Sequence, residues 1–387
     1  MSKLGLIMAL MTGVIFVVVS FMPAVRFADP DMGKFSNAKH CFHDEIYLGQ
    51  SDNDVLMFGA SRTGRAASVK AITKSYSLVE SLPVRVFKFD FAWANPDMAY
   101  VMFRDYLDNN PPPGLVMVEL MQVRRKPPPV RYVHPFFSTL APIDLYLDVL
   151  QPNNIKTSYF FNLSDFARLL LRHIDLNLTN LLVADNHFLV PENNDCINHY
   201  PPRPQGVNQQ ASTGRPDNSA RFKQLIKNKT ARLARKVGMN NIGRNAALKR
   251  GYSDSDRQDY DPARARQMIT LIRRLGPEWP SRQWKRYEFE QGAGAWDIEY
   301  YKKMVQLAES SGVEIVFYIL PSLLDPEFPA SQIQEIETRL GASVVMLPYS
   351  SVRVSYHFYR DTTHVGVQLR DLYATWFASE ISKRLTN

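Results

Sequence analysis

A serine closes the apolar run Phe58-Gly59-Ala60-Ser61, and Arg62-Thr63-Gly64 follow it. Near the C-terminus, Asp361-Thr362-Thr363-His364 sets a carboxylate and an imidazole three residues apart. A serine hydroxyl is a weak nucleophile until a base removes its proton. An imidazole can be that base, and a carboxylate fixes its tautomer and orientation. In that chemistry Ser61 attacks an acyl carbon, His364 is the general base and Asp361 orients His364. Each group also has a plainer use. A serine at the end of a strand is commonly the N-cap of the next helix. A histidine beside an aspartate before a helix is commonly a solvated turn. The two uses separate on whether the fold brings the two segments together.

The intervening pattern argues that it does. Asp54–Ser61, Gly114–Gln122, Glu314–Pro321 and Ser343–Tyr349 are short apolar runs ended by turn residues, and Val84–Ala92 alternates more but also reads as a strand. Runs of this length fit strands covered on both faces of a parallel sheet. Helical stretches lie between them: Pro96–Asn109, Ile298–Ser311 with Gly312 as a stop, and Ala330–Leu340 with Gly341 as a stop. Gly366–Leu385 closes the chain. This alternation predicts an α/β fold, a three-layer doubly wound parallel sheet. Active sites in such sheets collect at the carboxyl ends of the strands, where Ser61 would stand. The helix after Ser61 would present its N-terminal N–H groups there.

The chain has 387 residues and a net charge of +8, with 45% hydrophobic and 22% charged residues. That composition excludes collagen-like, disordered and disulfide-scaffold classes. Residues Leu4–Val25 carry no charge over 22 positions, with Lys3 before and Arg26 after. About 20 helical residues cross a bilayer core. Neither Ala24 nor Ala28 ends a good cleavage site, so the expectation is an uncleaved signal-anchor over residues 1–28. Residues 29–53 read as a polar linker, and 54–387 as the α/β domain. The basic N-terminus predicts that end in the cytoplasm and the main domain outside it, a single-pass protein of the cytoplasmic membrane with an extracytoplasmic (periplasmic) domain.

The alternation breaks between about 123 and 295, which reads as a helical insertion between the third and fourth strands. It includes the apolar helical stretch Asp165–Leu182 and the loop-like Pro201–Ser219. From Arg221 to Arg286 there are 18 Lys or Arg against 5 Asp or Glu, so the positive charge is concentrated here. An extracytoplasmic domain meets acidic polysaccharides and anionic headgroups rather than nucleic acid. A solvated basic face is the other reading.

The pair of motifs resembles the SGNH (GDSL-like) hydrolase superfamily, in which a serine follows the first strand and a D-x-x-H motif precedes the last helix. The resemblance covers residues 54–122 and 298–385. It is nearest to membrane-anchored members that O-acylate surface polysaccharides, such as alginate O-acetylation proteins and the D-alanyl transfer protein of teichoic acids. It implies a flavodoxin-like sheet and transfer of an acyl group, acetyl foremost, through a serine acyl-enzyme to an acidic or neutral polysaccharide. It also implies a multispan membrane acyltransferase as acyl supplier, and no cofactor or metal. With water as acceptor the same chemistry is an esterase or deacetylase. A non-catalytic polysaccharide-binding scaffold is the further alternative.

Departures from the family pattern bear on the oxyanion site. Gly59-Ala60-Ser61 stands where the family has G-D-S. No glycine follows the second strand and no asparagine ends the third. Removing one oxyanion donor costs about 100- to 1000-fold in turnover. The candidates to replace those donors, or to bind substrate, are Arg62, Asn95 and Gln122. Among lesser features, His40-Cys41-Phe42-His43-Asp44 groups possible metal ligands without a matching second pair. Cys41 and Cys196 are the only two cysteines and could pair in an oxidising compartment.

Overall fold

The run Val55–Ala60 (β1) is apolar throughout, and a strand of that kind needs cover on both faces. In the structure, a computed structural model, it sits inside a five-stranded, all-parallel sheet. The described residues are 13–14, 41–42, 45–46, 52–80, 83–91, 96–120, 219–240, 294–321, 329–348, 359 and 364–385. The other strands are Val86–Phe91 (β2), Leu115–Glu119 (β3), Glu314–Ile319 (β4) and Ser343–Met346 (β5). Their order is β2-β1-β3-β4-β5. Chain order reverses between β1 and β3, which makes the gap beyond their carboxyl ends the switch point where such sheets bind ligands.

Alternate residues of each strand enter two separate cores. Leu56, Phe58, Phe87, Phe89, Val116, Val118, Ile315 and Phe317 face one side; Val55, Met57, Val86, Leu115, Met117, Val316 and Tyr318 face the other. The first side is covered by Pro96–Asn109 (α3), Gly294–Ser310 (α5) and Ala330–Leu340 (α6). The second is covered by Ser61–Ala66 (α1), Val69–Ser77 (α2), Ser219–Asn240 (α4) and Val367–Leu385 (α7). Gly312 and Gly341 have φ of 66° and 74°, left-handed backbone that ends a helix without a Cβ penalty. The stop signals at both therefore act as the sequence predicts.

Two segments differ from expectation. Residues 29–53 are not wholly a linker: Cys41, Phe42 and Ile46 are helical and buried in the first core, where Phe42 packs on Phe87 and Phe89. Asn53 bonds Glu45, and Asn110 Nδ2 donates to Ile46 O at 2.8 Å. These few apolar residues are diluted by polar neighbours, so no period marks them. The helix before β4 also begins earlier than the pattern suggests, at Gly294.

Within the insertion, α4 is helical and lies on α7. Its Phe222 is buried, while Lys223 and Lys227 are exposed. Residues 165–182 and 201–218 lie outside the described residues. So does the apolar run 4–25, apart from Gly13 and Val14, which are helical. Among the described residues, no helix is long and apolar enough to cross a membrane.

Candidate functional site

Ser61 is the first residue of α1, not its N-cap. The cap is Ala60, in extended conformation (φ −92°, ψ −167°), with no side-chain capping bond. The serine hydroxyl is thus not spent on the helix. Ser61 Oγ lies 2.8 Å from Nε2 of His364. His364 arrives from the far end of the chain. An antiparallel bridge between Tyr359 and Val365, both buried, pins the segment on either side of it, and α7 starts at Val367. The apolar face of α7 packs in the second core and fixes where that segment meets the sheet.

With Nε2 turned to the serine, Nδ1 is the nitrogen left for an orienting carboxylate. Asp361 lies outside the described residues, as do Asn95 and Gln122. Arg62 is described, and its side chain turns into the protein. Its Nε donates to Glu119 Oε1 at 2.9 Å and its guanidinium to the Leu320 carbonyl at 3.1 Å.

Glu119, the last residue of β3, is the charged group that sequence reasoning passed over. Its side chain is fully buried. Oε2 accepts from the Ala60 backbone N–H at 2.8 Å and from the Thr63 hydroxyl at 2.6 Å. Tyr301 donates to the Glu119 carbonyl at 3.2 Å. Tyr318, from β4, places its hydroxyl 2.7 Å from Thr63 Oγ1 and donates to Phe58 O at 3.1 Å. Burial pushes the Tyr318 hydroxyl well above its usual range, and the neighbouring Glu119 charge adds to the shift. The one available signal was a carboxylate ending the otherwise apolar strand Leu115-Val116-Met117-Val118-Glu119.

The other end of α1 is held from the opposite neighbour of β1. Lys88, buried on β2, donates to Ala67 O at 3.0 Å and Gly64 O at 3.4 Å, and lies 3.5 Å from Asp90 Oδ2. A carboxylate at the start of a helical turn and an ammonium at its end both match its dipole. Gly59 is required by close approach: a Cβ there would overlap Thr63 and come within 2.9 Å of Glu119 Oε2.

Among the described residues, no cluster of His, Cys, Asp and Glu could hold a metal ion. Cys41 is disulfide-bonded, so its sulfur is no thiolate ligand. The only other cysteine, Cys196, lies outside the described residues, as do His40, His43 and Asp44. No protein-family model matches the chain, and neither does any curated protein.

Proposed function

We propose that the chain is a serine-dependent acyltransferase of the SGNH type, working outside the cytoplasm on a polysaccharide. The observation that supports it best is the 2.8 Å contact between Ser61 Oγ and His364 Nε2, at the switch-point edge of the sheet. That distance is within general-base reach.

In the acylation step, Ser61 Oγ bonds to the donor's carbonyl carbon while its proton passes to His364 Nε2. The donor's leaving group departs with that proton, and the acyl group remains as an ester on Ser61. An acceptor hydroxyl then gives its proton to His364 and attacks the ester; the bond to Ser61 Oγ breaks, His364 returns the proton to that oxygen, and the acceptor leaves acylated. Asp361 is assigned to the second ring nitrogen, and Asn95 and Gln122 to the oxyanion. Arg62 is assigned to shaping the serine turn, because its side chain is engaged with Glu119 and Leu320. With water as acceptor the enzyme is an esterase.

Surface-polymer modification rests on the uncharged run 4–25, on the family resemblance and on the basic helix α4. That helix has seven Lys or Arg and no Asp or Glu. Lys229 reaches the Asp371 carbonyl and Thr375 hydroxyl on α7, shortly after His364 in the chain. The acyl supplier is a multispan membrane acyltransferase. A fluorophosphonate probe tests the reading. It should label the wild type and leave Ser61→Ala unlabelled; equal labelling of both, or of neither, would leave a non-catalytic scaffold.

A further inference from the structure

Ser61 lies between two residues tied to the same buried carboxylate. The residue before it, Ala60, gives its backbone N–H to Glu119 Oε2, and the residue after it, Arg62, gives Nε to Oε1. Thr63, one further on, gives its hydroxyl to Oε2. Ser61, between Ala60 and Arg62, directs its side chain to His364 instead. The serine cannot shift without stretching a charge-assisted hydrogen bond, and such bonds are stronger than neutral ones.

A fully buried carboxylate is expensive unless its oxygens are satisfied. Both Glu119 oxygens are, and Arg62 offsets its charge. Ordinary packing could have closed the strand with an apolar residue at lower desolvation cost. The cluster draws on three strands: β1 supplies the turn, β3 the carboxylate and β4 Tyr318, whose hydroxyl meets Thr63. It therefore fixes the turn to the sheet rather than only to itself.

Resting on the acyl-transfer reading, we propose that Glu119 is a positioning residue. It acts through Ala60, Arg62 and Thr63 to hold Ser61 Oγ at His364 Nε2, and does not itself touch substrate. A misplacement of about 1 Å can cost about 100-fold in rate. Glu119→Gln keeps the shape and loses the charge that gathers these donors.

The test is saturation kinetics of fluorophosphonate labelling on the full chain in detergent. Glu119→Gln should lower the maximal labelling rate about 10- to 100-fold and leave the half-saturating probe concentration unchanged. A folded Glu119→Gln variant that labels at the wild-type rate would overturn the inference. So would a loss confined to probe affinity. If Glu119→Gln does not fold, the Thr63 pair decides. Thr63→Val should slow maximal labelling and Thr63→Ser, which restores the hydroxyl, should recover it; equal rates in the two would overturn the inference. A wild type that reacts no faster than Ser61→Ala removes the acyl-transfer reading and the inference with it. A reactive wild type with an indifferent Glu119 removes the inference alone.

Discussion

Ser61 and His364 stand 303 positions apart in the chain and 2.8 Å apart in space. Their roles were open in the sequence because each has a commoner structural use. A serine beginning a helix is usually its cap, yet Ala60 takes that position and the hydroxyl is left to the imidazole. On the acyl-transfer reading the two share a proton and act as one unit, and that has a kinetic signature. Ser61→Ala and His364→Ala should each lower acyl transfer by at least about 1000-fold, and the double variant should cost little more than either. Turnover of a small activated ester checks this; additive losses would mean that the two residues act separately. Glu119 was hidden for a different reason. A lone carboxylate at the end of an apolar run reads as the start of a solvated loop. Only the parallel pairing of β1 with β3, which no local pattern encodes, shows that it points at the neighbouring turn.

Strands and helices were more legible than the side chains at their ends. The five runs are the five strands, and the clearest of them, β1 and β3, are central in the sheet and buried at every position, while the edge strand β2 carries Lys88 and Asp90. The helix Pro96–Asn109 was read from its place between two strands, and Ala330–Leu340 from its place before the last strand and from Gly341 as its stop. The short helices between β1 and β2 are poor in apolar residues and left a weaker trace. Cys41, Phe42 and Ile46 left none, since their place depends on the finished core. Tyr318 gives this level a pH-dependent consequence. Its hydroxyl holds its proton more tightly folded than unfolded. Below about pH 10 both states keep the proton and the contribution is complete. As pH rises further the unfolded chain ionises first, so stability falls until the folded value is passed. Tyr318→Phe should cost about 1–3 kcal/mol at neutral pH through the partners it abandons. Its melting temperature should then fall less steeply than the wild type's above about pH 10. Equal slopes would place the alkaline loss in other groups.

For the molecule as a whole, the disulfide and the charge distribution matter most. Cys41 is buried against the first core, far in sequence from the only other cysteine. Closing so long a loop restricts the unfolded chain, so Cys41→Ser should lose about 2–5 kcal/mol, read by denaturant unfolding. An unchanged midpoint would show that the bridge adds nothing to the core contacts. The basic helix α4 exposes Lys223 and Lys227 beside α7. Changing both to Glu should weaken binding to an acidic polysaccharide such as polygalacturonate and flatten its salt dependence, while turnover of a small ester stays the same. Binding that ignores both salt and these substitutions would assign α4 to a solvated face. The acyl-transfer reading as a whole comes down to where an acyl group is held in mid-reaction. Acid-quenched wild-type protein, mixed with p-nitrophenyl acetate and mapped by peptide mass spectrometry, should carry one acetyl group on Ser61 and none in Ser61→Ala. An acetyl group found elsewhere, or retained in Ser61→Ala, would contradict it.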